Sequence, residues 1–225
     1  MAQDEGLHKH AFWLYGVLVG LAIKAVLEKV VPHLFSLTSD KLWFYSLEAA
    51  RLLVFLILSI RFYLGSAVFF DSVYCSPNCN ETYPRKNYAI DFLFGFIRFL
   101  FFFAWALAIE VQDEPNLLFP SFMLIILLYD LPWYFASRSY TTKHLIKMWA
   151  FINFATCILV VATYFSALAL KTSEAIAEGI AFIPVIFLSL IDIAEVILRR
   201  RIIADFLRGL IEGHSPDPSD KGEIA

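Results

Sequence analysis

Charged side chains are scarce in this sequence: Asp, Glu, Lys and Arg make up 17% of its 225 residues, against about 25% in soluble domains. Hydrophobic residues make up 60%, and phenylalanine alone occurs 23 times. A soluble domain of this length cannot bury so many apolar side chains, because its surface is too large relative to its core. The composition therefore excludes an ordinary soluble domain and predicts a protein that lies in a lipid bilayer.

The sequence also lacks the features of several functional classes. The formal net charge is −3 and no basic arm is present, which argues against nucleic-acid binding. Three cysteines do not make a disulfide scaffold, and the five histidines stand at ends or in loops, where they cannot pair as haem ligands within spans. No phosphate loop, dinucleotide fingerprint, potassium filter or voltage-sensor repeat occurs. We therefore expect no cofactor, no metal site and no enzymatic activity.

Six apolar stretches are each long enough to cross the hydrocarbon core of a bilayer, which takes about 20 helical residues. Polar segments with proline, serine or charged residues separate them. The stretches are Ala11–Val31, Trp43–Phe69, Tyr88–Glu110, Asn116–Ala136, Trp149–Leu170 and Ala175–Leu198. The sequence thus predicts an all-α, polytopic integral membrane protein. Its membrane domain, residues 11–198, is expected to be a bundle of six transmembrane helices, followed by a short cytoplasmic helical extension.

Lysine and arginine are distributed unevenly between the two sides of this predicted bundle. One side has only Lys29, Lys41 and Lys171. The other has Lys9, Arg85, Lys86, Arg138, Lys143, Lys147, the run Arg199 to Arg201, and Arg208. Because short cytoplasmic loops carry the excess of positive charge, both termini, including the N-terminal residues 1–10, are expected in the cytoplasm.

The loop between the second and third stretches contains Cys75, Cys79 and a glycosylation acceptor at Asn80. On the predicted topology this loop faces the cytoplasm, so we expect reduced cysteines and no glycan. Oxidised cysteines or a glycan at Asn80 would show that the topology is the inverse of the predicted one.

A basic amphipathic segment, residues 199–212, follows the last stretch. Its apolar residues recur at helical spacing, which predicts a helix in the cytoplasm or at the membrane interface. We expect it to be able to bind a cytoplasmic protein partner through Arg199, Arg200, Arg201 and Phe206. Residues 213–225 are polar and rich in Ser, Pro and Gly, and are expected to be disordered.

Ionisable residues inside the spans are costly in lipid unless they are paired or hydrated. Arg98 lies at the centre of a phenylalanine-rich run, too deep to reach either interface, and needs a carboxylate; Asp130, Asp91 and Asp192 lie at compatible depth. Pro132 frees a backbone carbonyl near Asp130 and can bend that helix. We predict an ion path or gating site that consists of Arg61, Asp91, Arg98, Asp130, Asp192 and Glu195.

Three other charged residues lie toward the opposite side of the bundle. Glu48 and Arg51 are three residues apart on one stretch and can pair locally. Glu178 stands near the edge of its span, where we expect water to solvate it. The charges of the second stretch also predict that its helix lies inside the bundle, because lipid would disfavour them.

Three interpretations of function follow from the sequence. The first is a small ion channel or ion-translocating protein. It is expected to be homo-oligomeric, with a pore on a symmetry axis, because six short-looped helices leave little room for a lumen in one protomer. The second is a non-catalytic membrane subunit or scaffold that anchors a partner protein through Arg199–Ile211 and the basic loop Arg138–Lys147, with intramembrane charges that form salt bridges between helices. The third is an enzyme acting on lipid, with Arg138, Lys143 and His144 near a phosphate headgroup.

Overall fold

The computed structural model describes residues 2–35, 42–70, 85–109, 118–136 and 143–199. Every regular element within these ranges is an α-helix, so the all-α prediction is confirmed. The helices are α1 (Ala2–Phe35), α2 (Leu42–Phe70), α3 (Arg85–Ala108), α4 (Leu118–Leu128), α5 (Asp130–Ala136), α6 (Lys143–Ala169) and α7 (Glu174–Arg199). The predicted tail and all but the first residue of the predicted extension lie outside the described residues, as does the loop with Cys75 and Cys79.

Five helical segments of the described chain are long and apolar enough to cross a membrane. They match the second to sixth stretches predicted from the sequence, so the bundle fits an integral, multi-pass membrane protein. The segments are Leu47–Phe70, Tyr88–Leu107, Leu118–Ala136, Ile146–Ala169 and Glu174–Ile197. The helix α1 is not among these segments.

The fourth apolar segment is interrupted at Tyr129. The helix α4 ends at Leu128 and α5 begins at Asp130, and the Tyr129 N–H donates to the Ile126 carbonyl oxygen at 3.3 Å, three residues back rather than four. Pro132 accounts for this break, because it lacks an N–H and its ring clashes with the carbonyl one turn earlier. The break places Asp130 at a helix start inside the bundle.

A tight turn separates α6 from α7. Lys171 adopts the left-handed conformation there, with φ 60°. Its N–H donates to the Leu168 carbonyl at 2.9 Å, and the Thr172 N–H donates to the Ala167 carbonyl at 3.3 Å, the hydrogen-bond pattern of a Schellman motif. Ser173 then caps α7 by accepting an N–H of its first turn at 3.4 Å. The predicted break between the last two spans is therefore confirmed.

The helices α2 and α7 run parallel and are cross-linked twice. Arg51 pairs with Glu178 near their N-terminal ends, and Arg61 pairs with Asp192 further along both helices. Three segments lie between α2 and α7 in the chain, namely α3, the interrupted α4–α5 segment and α6. If each segment crosses the bundle once, α2 and α7 can be parallel only when an odd number of segments lies between them. The helices α4 and α5 therefore make one crossing together. As predicted, α2 lies inside the bundle, where it packs between α1 and α7.

The helices α1 and α3 also run parallel. The Tyr15 hydroxyl donates to the Phe92 carbonyl oxygen at 2.9 Å, and the Lys29 ammonium donates to the Leu107 carbonyl oxygen at 2.6 Å. These two contacts are 14 residues apart on α1, or roughly 21 Å of helix. The contact therefore extends along most of α3.

Aromatic rings fill the space between α1, α2 and α3. Tyr15 is fully buried, and its ring centroid lies 4.9 Å from that of Phe99, 5.6 Å from that of Phe92 and 5.9 Å from that of Phe70. Gly95 admits this ring, because a Cβ atom at that position would stand 2.6 Å from the Tyr15 hydroxyl oxygen. The close approach of α1 to α3 thus depends on a missing side chain.

We predict that Gly95→Ala destabilises the protein by about 1–3 kcal/mol, because the new methyl group must displace a rigid, buried tyrosine. Thermal unfolding in detergent measures the effect. The matched control is Gly20→Ala, at a helical glycine with no atom within 4 Å of the added Cβ, where we expect no loss or a gain of up to about 1 kcal/mol. Equal effects of the two substitutions would refute this account of the α1–α3 contact.

Candidate ion-pair site

Charged side chains are buried at two levels of the bundle. Arg51 and Glu178, here called the Arg51 pair, form one level. The second level, here called the Arg98 layer, contains Arg61, Arg98, Asp130, Asn153 and Asp192, each at most 8% exposed. The levels are separated by the ten residues between Arg51 and Arg61, or about 15 Å along α2.

Arg98 lies at the centre of its layer and is 1% exposed. Its Nη2 pairs with Oδ1 of Asp130 across the α3–α5 contact. Three rings surround the guanidinium: its Cζ lies 4.8 Å from the ring centroid of Trp133, 4.9 Å from that of Phe62 and 5.9 Å from that of Tyr129. Cation–π attraction adds to the ion pair in such a desolvated setting. The prediction that this arginine needs a carboxylate is confirmed, and of the three candidates Asp130 forms the ion pair.

Asp130 connects three helices through one carboxylate. Oδ1 pairs with Arg98 of α3, while Oδ2 accepts a hydrogen bond of 2.5 Å from Nδ2 of Asn153 on α6. The sequence prediction did not include Asn153, although a lone amide in the middle of an apolar span is the type of residue that forms hydrogen bonds between membrane helices.

The other predicted aspartates have partners of their own. Asp192 accepts a hydrogen bond of 2.6 Å from Nε of Arg61, and Asp91 accepts one of 2.7 Å from the indole N–H of Trp133. The structure therefore brings four of the six predicted site residues, Arg61, Arg98, Asp130 and Asp192, into one layer. Asp91 is buried about two turns from Arg98 on α3, and Glu195 lies about one turn beyond Asp192 on α7 and is half-buried. Their role in an ion path stays a prediction.

A small cavity lies between the two ion pairs of the Arg98 layer. Its volume is about 10 Å³, close to the space that one water molecule needs. Three buried atoms of lining residues outside the ion pairs, Nη1 of Arg61, Nε of Arg98 and Oδ1 of Asn153, have no hydrogen-bond partner among the described residues. Two are donors and one is an acceptor, and a water molecule can accept from the donors and donate to the acceptor. The cavity is lined by Arg61, Phe62, Gly65, Arg98, Asp130, Trp149, Asn153 and Asp192.

The expectation for Glu178 is wrong. It is 4% exposed rather than hydrated at a span edge, and its two carboxylate oxygens accept hydrogen bonds of 2.7 and 2.8 Å from Nε and Nη2 of Arg51. The Arg51 guanidinium carbon also lies 5.8 Å from the ring centroid of Phe119. The prediction used only the position of Glu178 along its helix. It did not include the rotation of α7, which turns Glu178 toward α2 and away from water.

No family model, curated protein or solved structure matches this chain. Within the described ranges, no group of three or more His, Cys, Asp or Glu side chains could hold a metal ion. The chemistry available at the site is therefore that of paired guanidinium and carboxylate groups.

We predict that Asp130→Asn costs about 3–5 kcal/mol of stability, because it leaves a buried guanidinium without its counter-charge. Replacing both partners in the variant Arg98→Leu/Asp130→Leu removes the charge as well, and we expect it to cost less than the two single substitutions together. Unfolding in detergent measures Asp130→Asn, the double variant and its two single variants, Arg98→Leu and Asp130→Leu.

The control is Glu28→Gln, which makes the equivalent change in an exposed pair. Glu28 lies 3.5 Å from Lys24, with 65% of its side chain exposed, so the loss is expected to stay below about 1 kcal/mol. If Asp130→Asn costs no more than Glu28→Gln, the buried pair does not stabilise the bundle.

Proposed function

We propose that this protein is a homo-oligomeric, ion-translocating membrane protein, that the ion is the proton, and that the Arg98 layer is the translocation and gating site. The observation that carries the proposal is that two ion pairs, Arg61–Asp192 and Arg98–Asp130, face the same water-sized cavity. Structural salt bridges need no shared cavity, whereas proton transfer needs titratable groups that one water molecule can bridge.

The proposal includes α1 as a sixth transmembrane helix. It is supported by the contacts of Tyr15 with Phe92 and of Lys29 with Leu107, because α3 is itself long and apolar enough to span the membrane. A helix that follows a spanning helix over about 21 Å covers most of a hydrocarbon core of about 30 Å. Within the apolar part of α1, Lys24, Glu28 and Lys29 lie toward the far end, where Lys29 can snorkel to the interface.

Cavity size favours the proton over other ions. A space of about 10 Å³ admits about one water molecule but not a hydrated metal ion. A proton needs only a chain of donors and acceptors, and Asp130, Asn153, Arg61 and Asp192 all line the cavity. Glu195, one turn beyond Asp192 on α7, continues this chain toward the cytoplasmic side of the proposed topology.

The break at Tyr129 supplies the gate. Protonation of Asp130 removes its charge and leaves the Arg98 guanidinium unpaired in a low-dielectric interior, which is strongly unfavourable. Asp130 is the first residue of α5, directly after the break, so α5 can move against α4 to relieve this cost. Proton binding is thereby coupled to a bend in one helix.

An aromatic barrier closes the path in the conformation described. Phe55, Phe102 and Trp105 are buried between the Arg98 layer and the Arg51 pair, and the ring centroids of Phe55 and Trp105 are 5.1 Å apart. Such a dry zone blocks proton leakage while the gate is shut, and an opening bend would need to hydrate it.

The oligomer and the topology belong to the same proposal. Because the Arg98 layer lies inside one protomer, each protomer of the proposed closed, symmetric assembly has its own proton path. The positive-inside rule supports cytoplasmic termini, and the basic segment from Arg199 to Arg201 with Phe206 remains the proposed contact for a cytoplasmic partner.

Purified protein in liposomes that contain a pH-sensitive dye tests the proposal. With a potassium gradient and valinomycin to drive charge movement, the unmodified chain is expected to acidify or alkalinise the lumen. Asp130→Asn is expected to reduce the proton flux about a hundredfold, the usual weight of one positioned proton-transfer group. Arg98→Gln removes the ion-pair partner of Asp130 and is expected to reduce the flux as well. The matched control Glu28→Gln should leave the flux unchanged.

Absence of flux from the folded, oligomeric wild-type protein would overturn the proposal and favour the second candidate, a membrane scaffold. The observation that favours a scaffold is that each of the three buried guanidiniums meets a carboxylate on another helix, which is also what a static bundle requires. A scaffold predicts instead a partner that co-purifies with the full chain and is lost on truncation after Arg199.

A further inference from the structure

An apolar pocket lies where α4, α6 and α7 meet, away from the Arg98 layer. Its volume is about 190 Å³. Most of its walls are aliphatic, sulfur-containing or aromatic side chains, among them Met123, Leu124, Val160, Val161, Ala181 and Phe182. None of the predicted path residues lines it, so it is independent of the proposed translocation site.

The pocket opens on the surface that meets the hydrocarbon of the membrane. Two of its lining residues, Val161 and Phe165, are 41% and 62% exposed. Their neighbours on the same face, Ile158 and Ile183, are 55% and 62% exposed. All of them belong to helices that are apolar enough to span a bilayer, so what surrounds the entrance is acyl chain rather than water.

The one ionised group in the wall does not call for a charged ligand. Glu178 lines the pocket, but both of its carboxylate oxygens already accept hydrogen bonds from Arg51. The pair is neutral as a whole. A cationic lipophile would therefore gain no free carboxylate at this position, and an uncharged hydrocarbon ligand fits the pocket best.

The volume sets the length of that ligand. A dry protein cavity of about 150 Å³ holds a six-carbon ring, so 190 Å³ corresponds to a segment of about eight carbons. This is about half of a common acyl chain. The rest of the chain can lie along the exposed face of α6 beside Val161 and Phe165.

We propose that this pocket binds one acyl chain of a bilayer phospholipid. Phospholipid is the source because its chains fill the layer onto which the pocket opens, and because its headgroup can stay at the interface while the chain enters sideways. The bound chain fills the space between α4 and α7. Beside this space the two helices are in contact through Phe119 and Phe182, whose ring centroids are 5.6 Å apart.

Photolabelling in nanodiscs tests this site. The discs contain phosphatidylcholine with a diazirine in the middle of one acyl chain, and peptide mass spectrometry locates the label. We expect labelling of Pro120–Leu124 and Val160–Phe165 above that of Phe151 and Phe154, which are exposed on α6 and do not line the pocket. Ala181→Leu fills the pocket from α7 and should lower the pocket labelling at least about fivefold.

A second variant and a matched control keep the result interpretable. Val161→Phe narrows the entrance from an exposed position, so it can be used even if Ala181→Leu fails to fold, and it should lower the labelling as well. Ala162→Leu makes the same alanine-to-leucine change on the exposed face of α6 and should leave the labelling unchanged. Folding is monitored by size-exclusion chromatography.

Three outcomes would overturn the proposal. Labelling spread evenly over the exposed faces would mean that only annular lipid is present. Labelling insensitive to both Ala181→Leu and Val161→Phe would place the chain elsewhere. Labelling by the free diazirine fatty acid, but not by the phospholipid probe, would assign the pocket to a different lipid. None of these outcomes depends on whether the protein moves protons.

Discussion

A guanidinium group within a membrane needs a carboxylate inside the protein, and in this chain that requirement decides which helix faces which. The spanning helices are apolar on nearly every face, so a hydrophobic pattern alone cannot tell a buried face from one in contact with lipid. The arginines can. Arg51 and Arg61 turn α2 toward α7, and Arg98 turns α3 toward α5. Each pair replaces hydration that lipid cannot supply.

The pairs also explain why the polar atoms collect in layers. A carboxylate that serves one arginine has a second oxygen to satisfy, and Asp130 uses it for Asn153. Each added partner brings another helix to the same depth, so α3, α5 and α6 meet at one level, next to the pair that joins α2 to α7. The small cavity lies between these two pairs, and Phe62, Gly65 and Trp149 complete its lining.

Much of the fold could be predicted from the sequence, because span length and polar breaks are properties of the chain itself. The break near Asp130, the turn at Lys171 and the need of Arg98 for an acidic partner follow from local chemistry. The choice among three aspartates does not, since it depends on the rotation of each helix about its axis. Glu178 was misjudged for the same reason: its depth is readable from the sequence, while the direction in which it points is set by α2.

The parallel pairing of α2 with α7 has a consequence for biosynthesis. Arg51 and Arg61 reach carboxylates 127 and 131 residues further along the chain, so both enter the bilayer long before their partners exist. At ribosomal rates of about 5–20 residues per second, the gap lasts roughly 6–26 seconds. During that interval Arg51 and Arg61 lack the carboxylates that pair with them in the finished bundle, and both cross-links form only after α7 has been made. The cross-links between α2 and α7 are therefore completed only when the last described helix is in place.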